Sequence, residues 1–155
     1  MKKKIAIFPG TFNPFTKGHL NILEKSESIF GEVIVAFGIN PNKVEPSDLD
    51  GYILKSEQRA YELSQKIKRP VKLYMGFLHD FISQLESEGY DVVVVKGLRN
   101  GDDLAYEVNQ LRFIEDYKKG IKTTFIVCDK EYEHISSSAI KKIAEFGGDV
   151  SKYLV

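Results

Sequence analysis

Five short apolar runs alternate with helical patterns along the chain, and this alternation limits the fold more than any other feature. The runs are rich in β-branched residues and cover Ile5 to Phe8, Val33 to Ile39, Val71 to Tyr74, Val92 to Val95 and Thr123 to Val127. Helical spacing of apolar residues occurs at His19 to Ile29, Ser56 to Ile67, Leu78 to Glu88, Asp102 to Lys118 and Ser136 to Phe146. Continuous apolar strands suit a sheet covered on both faces. The order therefore predicts an α/β fold with a doubly wound, five-stranded parallel sheet, and a ligand site at its carboxyl edge where the strand order reverses.

Length and composition predict a single domain over residues 1–155, expected in the cytoplasm. The 22 basic and 22 acidic residues give no net charge, which argues against a nucleic-acid partner. The single cysteine, Cys128, excludes a disulfide within the chain and a cysteine-rich zinc site, and we expect it to be a small buried hydrophobe. No apolar stretch approaches the roughly 20 residues that span a membrane, and no long apolar segment of a signal peptide follows Met1 to Lys4.

Two parts of the chain show neither a strand pattern nor a helix pattern, one after the second strand and one at the C-terminus. Asn40 to Leu54 contains two prolines and a glycine and is predicted to be a long loop, which in a compact domain is functional or mobile. Gly147-Gly148 is predicted to end the last helix. The tail that follows has apolar residues at Val150, Tyr153 and Leu154, which are expected to dock on the domain or on a neighbouring subunit.

The stretch from Phe8 to His19 is the first candidate for chemistry, because it joins a strand to a helix through a loop at the carboxyl edge. Pro9, Gly10, Asn13 and Pro14 break regular structure within it. A glycine lets backbone N–H groups approach a phosphate, and the next helix offers a positive N-terminus. Thr16 is predicted to be the N-cap of that helix, and His19 could be a ligand group, a cap or a surface residue. The loop suits a negatively charged substrate.

Three further loops could bind anions. Lys96-Gly97-Leu98-Arg99 follows the fourth strand and places two cations around a glycine. Ser136-Ser137-Ser138 reads as a capped helix start, and its hydroxyls and free N–H groups also form an anion site. Lys43 lies in a polar loop after the second strand, where a lysine is usually a solvated charge.

These motifs resemble those of a known enzyme family. Gly10 to Pro14 and Thr16 to His19 resemble the T/H-x-G-H signature of the nucleotidyltransferases, and Lys96 to Arg99 and Ile135 to Ser138 resemble the bacterial phosphopantetheine adenylyltransferases. The resemblance implies a Rossmann-like fold and adenylyl transfer from ATP to 4'-phosphopantetheine, giving dephospho-coenzyme A and pyrophosphate. It further implies Mg²⁺ bound with ATP, a homo-hexamer, and coenzyme A as a feedback inhibitor. No residue cluster has the spacing of a metal site.

The resemblance also assigns roles to individual residues. His19 would stabilise the transition state at the α-phosphate. Thr11 would contact both the acceptor phosphate and ATP, and Lys43 would bind the acceptor phosphate. Leu78 and Lys96 join Thr11 and Lys43 as substrate contacts. The implied ATP contacts are Thr11, Phe12, Thr16, His19, Gly97, Leu98, Arg99, Glu107, Tyr132, Glu133, His134, Ile135, Ser136, Ser137 and Ser138.

The sequence departs from the family pattern at a few positions. Lys96 stands where arginine is usual, which keeps the charge but loses the bidentate fork. Glu133 and His134 stand where aromatic residues are frequent, and Asn13 stands where aspartate is usual. The departure at Lys96 concerns phosphate binding, and those at Glu133 and His134 concern the nucleoside contacts.

Several acidic and aromatic residues have simpler interpretations from the sequence itself. Glu107 reads as a surface carboxylate paired with Arg112 on one helix. Asp102 and Asp103 suit a helix start, where acidic side chains favour the helix dipole. His79 lies either at the surface or on the pantetheine side of the site.

Two other functions remain open at this level. One is the same chemistry on another acceptor, with adenylyl transfer to nicotinate or nicotinamide mononucleotide, or cytidylyl transfer to a phosphoalcohol. The other is a non-catalytic nucleotide-binding module of the same shape, because fold alone does not determine function.

Overall fold

The computed structural model describes residues 1–155 and contains one sheet of five parallel strands. The strands are β1 (Lys3–Gly10), β2 (Val33–Ile39), β3 (Val71–Met75), β4 (Tyr90–Leu98) and β5 (Lys122–Val127). Their order across the sheet is β3-β2-β1-β4-β5, and every neighbouring pair is parallel. Each predicted strand lies within an observed strand, so the doubly wound α/β prediction is confirmed. The order reverses between β1 and β4.

The chain has five α-helices, of which the first four connect the strands and the fifth follows β5. They are α1 (Lys17–Phe30), α2 (Leu49–Ile67), α3 (Leu78–Ser87), α4 (Gly101–Tyr117) and α5 (Ser137–Glu145). Short 3-10 turns occur at Pro41–Lys43, Pro46–Asp48, Lys130–Tyr132 and Ser151–Tyr153. None of these helices has the length and apolar composition that crossing a membrane requires.

The prediction of a long loop from Asn40 to Leu54 is wrong. Two 3-10 turns occupy its first half, and α2 already begins at Leu49 rather than at Ser56. Pro41, Pro46 and Gly51 are residues that often interrupt regular structure. Here each proline begins a 3-10 turn, and the exposed Gly51 lies within the first turn of α2. Tyr52 and Ile53 of this early turn pack against the main core, which stabilises the helix against the cost of its glycine.

The core has two parts, one on each face of the sheet. On one face, Ile22 and Leu23 of α1 and Leu63 of α2 pack against the buried side chains of the central strands. On the other face, α3 contributes a second cluster through Phe81 and Leu85. Burying such a side chain stabilises the fold by roughly 1.5–3 kcal/mol, so the sheet and α1 form a rigid base. Cys128 is buried in the first cluster, as predicted.

The C-terminal tail docks on the domain. Gly147 adopts a left-handed conformation with φ 81° just after α5, which confirms the predicted helix end. Leu154 then forms an isolated antiparallel bridge with Thr16, and Val155 packs against the main core. The tail therefore contacts the loop that precedes α1, and the prediction that it docks on the domain is confirmed.

Candidate active site

A cavity of about 320 Å³ opens at the carboxyl ends of β1 and β4, where the strand order reverses. This is the position expected for ligands in an open α/β sheet, and the volume falls in the range of small-molecule sites. Thirteen residues singled out from the sequence line the cavity: Thr11, Phe12, Thr16, His19, Lys96, Gly97, Leu98, Arg99, Glu107, Tyr132, Ile135, Ser136 and Ser137. The fold therefore brings the three family motifs into one site.

Two glycines allow the walls of this cavity to approach one another. A Cβ atom added to Gly97 would lie 2.8 Å from the Cγ1 of Ile22, so α1 packs directly on the end of β4. A Cβ atom added to Gly10 would lie 2.8 Å from the ring of Phe12. Larger residues at either position would displace α1 or the loop, because contacts this short are sterically forbidden.

His19 is held by a capping box at the start of α1. The Thr16 Oγ1 accepts the His19 backbone N–H at 3.2 Å, and the His19 Nδ1 accepts the Thr16 backbone N–H at 2.9 Å. The predicted N-cap role of Thr16 is thus confirmed. Because Nδ1 is an acceptor, the neutral imidazole carries its proton on Nε2. His19 can therefore donate one hydrogen bond from Nε2.

The surroundings of His19 keep it neutral. The rings of Phe12 and Phe15 lie 5.1 and 5.2 Å from the imidazole, and that of Phe8 lies 6.4 Å away. Burial, followed by the positive charge of Arg99, lowers the pKa of His19 from 6.5 to about 4. At neutral pH this side chain is a hydrogen-bond donor without charge.

Both cations of the fourth-strand loop are paired with carboxylates. The guanidinium of Arg99 contacts Asp103 through two bonds of 3.0 Å, and the Arg99 backbone N–H donates to the same carboxylate at 2.8 Å. The Lys96 Nζ lies 3.4 Å from the Glu107 Oε2. These four groups line the cavity and have no net formal charge.

The interpretation of Glu107 as a partner of Arg112 is wrong. Arg112 pairs with Glu115, at 3.1 Å. Glu107 faces the sheet instead, because α4 crosses the end of β4 and brings this carboxylate to Lys96. Asp103 lies in the first turn of α4, where its backbone N–H donates to the side chain of Asn100, so it does begin the helix as expected.

The start of α5 forms another wall. Ser136 is the N-cap, and its Oγ accepts the Ala139 backbone N–H at 3.1 Å, as predicted. The Ser137 Oγ donates to the Pro14 carbonyl at 2.9 Å, which joins this segment to the loop after β1. The N-termini of α1 and α5 both reach the cavity. Their free N–H groups favour anions, and phosphate groups in particular.

Five of the predicted site residues do not line this cavity. Lys43 is exposed in the 3-10 turn after β2, and Glu133, His134 and Ser138 are exposed beside the cavity rather than in it. Leu78 lines a smaller apolar cavity on the other side of β4.

The smaller cavity adjoins the main one. Leu78, Leu111, Ile114 and other apolar side chains form its wall, and Lys96 and Glu107 line both cavities. The Lys96–Glu107 ion pair therefore lies at the boundary between a polar cavity and an apolar one. Next to Leu78, the ring of His79 stacks on those of Phe77 and Tyr117, with centroids 5.0 and 5.3 Å away, and the rings of Phe77 and Tyr117 lie 6.3 Å from each other.

Some residues of the cavity were not predicted from the sequence. Asp103 was interpreted only as a helix start, although its spacing of four from Arg99 could have indicated the ion pair. Ile22 and Cys128 also line the cavity, but nothing in the local sequence distinguishes them from ordinary core residues.

No group of three or more His, Cys, Asp or Glu side chains is arranged to hold a metal ion. Asp103 and Glu107, the acidic residues that line the cavity, are each engaged by a cation.

Known proteins are similar to this chain in sequence and in fold. Residues 7–143 match the model of the family described as cytidylyltransferase-like. The phosphopantetheine adenylyltransferase of Porphyromonas gingivalis is 37% identical over 154 residues, covering 99% of this chain and 95% of that protein. The enzyme of the same name from Lacticaseibacillus paracasei is 36% identical, covering 99% of this chain and 89% of that protein.

A crystal structure described as a nicotinate-nucleotide adenylyltransferase from Vibrio parahaemolyticus also superposes on this chain. Its TM-score is 0.63 at 19% identity, covering 99% of this chain and 87% of that one. At this identity the match supports the Rossmann-like fold alone. The full-length sequence matches decide the family: the chain belongs to the phosphopantetheine adenylyltransferases, a family of nucleotidyltransferase enzymes within the cytidylyltransferase-like group.

Proposed function

We propose that the protein transfers the adenylyl group of ATP to 4'-phosphopantetheine, giving dephospho-coenzyme A and pyrophosphate. The observation that carries this proposal is one cavity in which a neutral histidine, two cations and two helix N-termini converge. The relatives at 36–37% identity over nearly the full length are enzymes named for this reaction.

The reaction requires little covalent chemistry from the protein. A phosphate oxygen of the acceptor attacks the α-phosphorus of ATP, and the bond to the bridging oxygen breaks as pyrophosphate leaves with the electron pair. The acceptor phosphate is already ionised, so no general base is needed. Catalysis then consists of alignment and of stabilising the negative charge that builds on the oxygens in the transition state.

His19 is suited to that stabilisation. Its Nδ1 is occupied by the Thr16 backbone N–H, so the proton on Nε2 is available to a non-bridging oxygen of the α-phosphate. A neutral donor fixed by the capping box needs little rearrangement as charge develops. Thr11 lines the same cavity and can contact both reacting phosphates.

The positions of the other groups suggest how the two substrates divide the site. The triphosphate of ATP suits the N-terminus of α5, with Ser136 and Ser137, and the side chain of Arg99. The acceptor phosphate suits Lys96, which lies at the boundary with the smaller cavity beside Leu78. Lys43 lies outside the main cavity on the neighbouring loop and would contact the acceptor phosphate if that loop closes.

Mg²⁺ is expected to enter with ATP as part of the substrate. Lys96 and Arg99 are neutralised by Glu107 and Asp103, so the side chains alone do not balance the charge of a triphosphate. A divalent cation held by phosphates and water supplies that charge without dedicated protein ligands. The metal would polarise the phosphates, while Arg99 and the helix N-termini hold them in place.

The exposed residues of α4 support association between subunits, as the expected homo-hexamer requires. This helix buries none of its residues and leaves Leu104, Tyr106, Phe113 and Tyr117 exposed. Apolar side chains concentrated on one helix are typical of an interface.

Coenzyme A, which contains the product, would inhibit by occupying the same cavities. Because ATP is a substrate, we expect the enzyme to act in the cytoplasm.

The direct test is pyrophosphate release by the purified protein with ATP and Mg²⁺. Release should depend on 4'-phosphopantetheine and should stop when a chelator removes the metal. Nicotinate mononucleotide replaces the acceptor in a parallel reaction, and a third reaction contains no acceptor. If pyrophosphate is released with nicotinate mononucleotide but not with 4'-phosphopantetheine, the alternative reaction is assigned. If ATP binds but no acceptor supports release, the chain is a nucleotide-binding module.

A further inference from the structure

Three side chains outside the cavity join α1 to the segment that follows β5. The side chain of Asn21 donates from Nδ2 to the Asp129 Oδ2, and the Asp129 backbone N–H donates to the Asn21 Oδ1, both at 2.8 Å. The Lys25 Nζ donates to the Asp129 Oδ1 at 3.0 Å and to the Val127 carbonyl at 2.5 Å. Asn21, Lys25 and Asp129 are called the α1–β5 clamp below.

The clamp lies between two parts of the proposed phosphate site. Asn21 follows His19 by two residues on α1, and Lys25 lies one turn further along the same face. Asp129 begins the segment that leads through the Lys130–Tyr132 turn to Ser136, the N-cap of α5. The clamp therefore connects the helix that carries His19 to the segment that carries the second helix N-terminus.

Close packing transmits this connection to the cavity. A Cβ atom placed on Gly18 would lie 3.8 Å from the Cβ of Tyr132, so the first turn of α1 rests on the Lys130–Tyr132 turn. Tyr132 and Gly18 both line the cavity. Just before this segment, the Cys128 backbone N–H donates to the Leu98 carbonyl at 2.8 Å, which fixes the start of the segment to β4.

The geometry points to Asn21, Lys25 and Asp129 as positioning residues that hold the N-terminus of α5 in register with His19 for a nucleoside triphosphate. The inference rests on the proposed function, because it assumes that both helix N-termini bind the same triphosphate. Lys96 and Glu107, on the acceptor side of the cavity, belong to β4 and α4, which are not the segments that the clamp joins. Disturbing the clamp should therefore weaken the nucleotide more than the acceptor.

The clamp is too exposed to contribute much to overall stability. The side chains of Lys25 and Asp129 are 38% and 52% accessible, and ion pairs at such exposure have small effects on unfolding. The bond from Lys25 and the bond from Asn21 lower the pKa of Asp129, so the carboxylate is ionised at neutral pH. A loss of alignment can thus be separated from a loss of folding.

The test compares Asn21→Ala, Asp129→Ala and the double variant in the full chain. Binding of MgATP is measured at equilibrium, and KM is measured for each substrate at saturation of the other. Each single variant should weaken MgATP binding and raise its KM by up to about fivefold, because an exposed pair of this kind contributes at most about 1 kcal/mol. The double variant should lose little more, because the two residues act as one pair. KM for 4'-phosphopantetheine should stay within about twofold of the unaltered protein.

Two controls distinguish alignment from a general loss of structure. Asp129→Asn keeps an acceptor oxygen and the backbone N–H, so it should restore part of the affinity for MgATP. Lys3→Ala removes another exposed ion pair, to Glu32 at 3.1 Å, at the opposite end of β1, and should leave both KM values unchanged.

The outcomes of the function test and of this test are separate. Absence of pyrophosphate release by the unaltered protein would overturn the proposed function, while MgATP binding would still test the clamp. Unchanged MgATP affinity in Asp129→Ala would overturn the clamp, and so would equal losses for both substrates.

Discussion

Helices α1 and α4 contribute to the cavity in different ways. α1 has a buried N-cap, Thr16, and buries Ile22, Leu23 and Ser26 along its length. α4 buries none of its 17 residues. It contributes Asp103 and Glu107, which contact the cavity through ion pairs with Arg99 and Lys96.

The difference indicates a division of labour within the site. The α1 side is fixed by core packing and by the capping box, so His19 keeps one orientation before any ligand arrives. The α4 side is held by partly exposed ion pairs, which can exchange partners at small cost when phosphate groups enter. A preorganised donor suits the transition state, whereas exchangeable cations suit substrates that bind and leave.

The largest effect should come from the α1 side. His19→Ala removes the Nε2–H donor, and we expect kcat to fall by about a hundred- to a thousandfold, as for loss of a single oxyanion donor. MgATP affinity should change little, because the helix N-termini and Arg99 remain. Measurements of kcat and of MgATP binding check both statements, with Lys3→Ala, at the opposite end of β1, as the control. An unchanged kcat in His19→Ala would exclude the proposed role.

The second-largest difference should appear in stability, when one leucine on each helix is replaced by alanine. Leu23→Ala removes a fully buried side chain of α1, and the free energy of unfolding should fall by about 3 kcal/mol. Leu104→Ala on α4 removes a side chain that is 41% exposed, and should change stability within the subunit by less than about 0.5 kcal/mol. Urea unfolding at several protein concentrations measures both and separates packing within a subunit from association. Equal losses would contradict the contrast between the helices.

The sequence predicted the α1 side of the site better than the α4 side, and the reason is physical. The role of Thr16 depends on neighbours within three residues, and a cap is visible in such a short stretch. Glu107 was assigned to Arg112, its neighbour on the helix, because pairing with Lys96 depends on how α4 crosses the sheet. Asn21 and Asp129 are 108 positions apart, and only the register of β1, β4 and β5 brings them together.

The start of α2 shows a second limit of local patterns. Gly51 and Pro46 favour irregular structure when they are considered alone. The packing of Tyr52 and Ile53 against the core outweighs that preference, and the helix begins at Leu49. The sheet was easier to predict, since five buried strands have a strong and repeated signal.

The pH dependence of stability should be the third effect in size. The pKa of His19 is about 4 in the folded protein and 6.5 when unperturbed. Above pH 6.5 both states are neutral and nothing changes. As the pH falls from 6.5 to 4, the unfolded chain binds a proton that the folded protein does not, so the free energy of unfolding falls by at most about 3 kcal/mol.

Unfolding of the unaltered protein and of His19→Asn at several pH values measures this contribution. The difference between the two proteins should depend on pH only below about 6.5, because asparagine does not titrate. In NMR titrations the ring signal that His19→Asn lacks should have its midpoint near pH 4. A midpoint near 6.5 would show that the imidazole is hydrated and that the α1 side is less rigid than the packing indicates.

The smallest effect should come from the α4 side. Arg99→Lys keeps the positive charge but loses the two parallel bonds to Asp103, although the backbone bond from residue 99 to that carboxylate can remain. We expect KM for ATP to rise by up to about tenfold, the loss typical of a charge-assisted hydrogen bond, with kcat changed much less.

Initial rates at varied ATP distinguish two accounts of this ion pair. If Arg99 leaves Asp103 to meet the triphosphate, lysine can make the same exchange, and the loss remains in KM. If the Arg99–Asp103 pair is instead a fixed part of the transition-state site, kcat should fall about as far as it does in His19→Ala. Lys96→Arg is the matched variant on the other ion pair, and should leave KM for ATP unchanged, because the fork it adds faces Glu107. A fall in kcat for Arg99→Lys would mean that the α4 side is as preorganised as α1, despite having no buried residue.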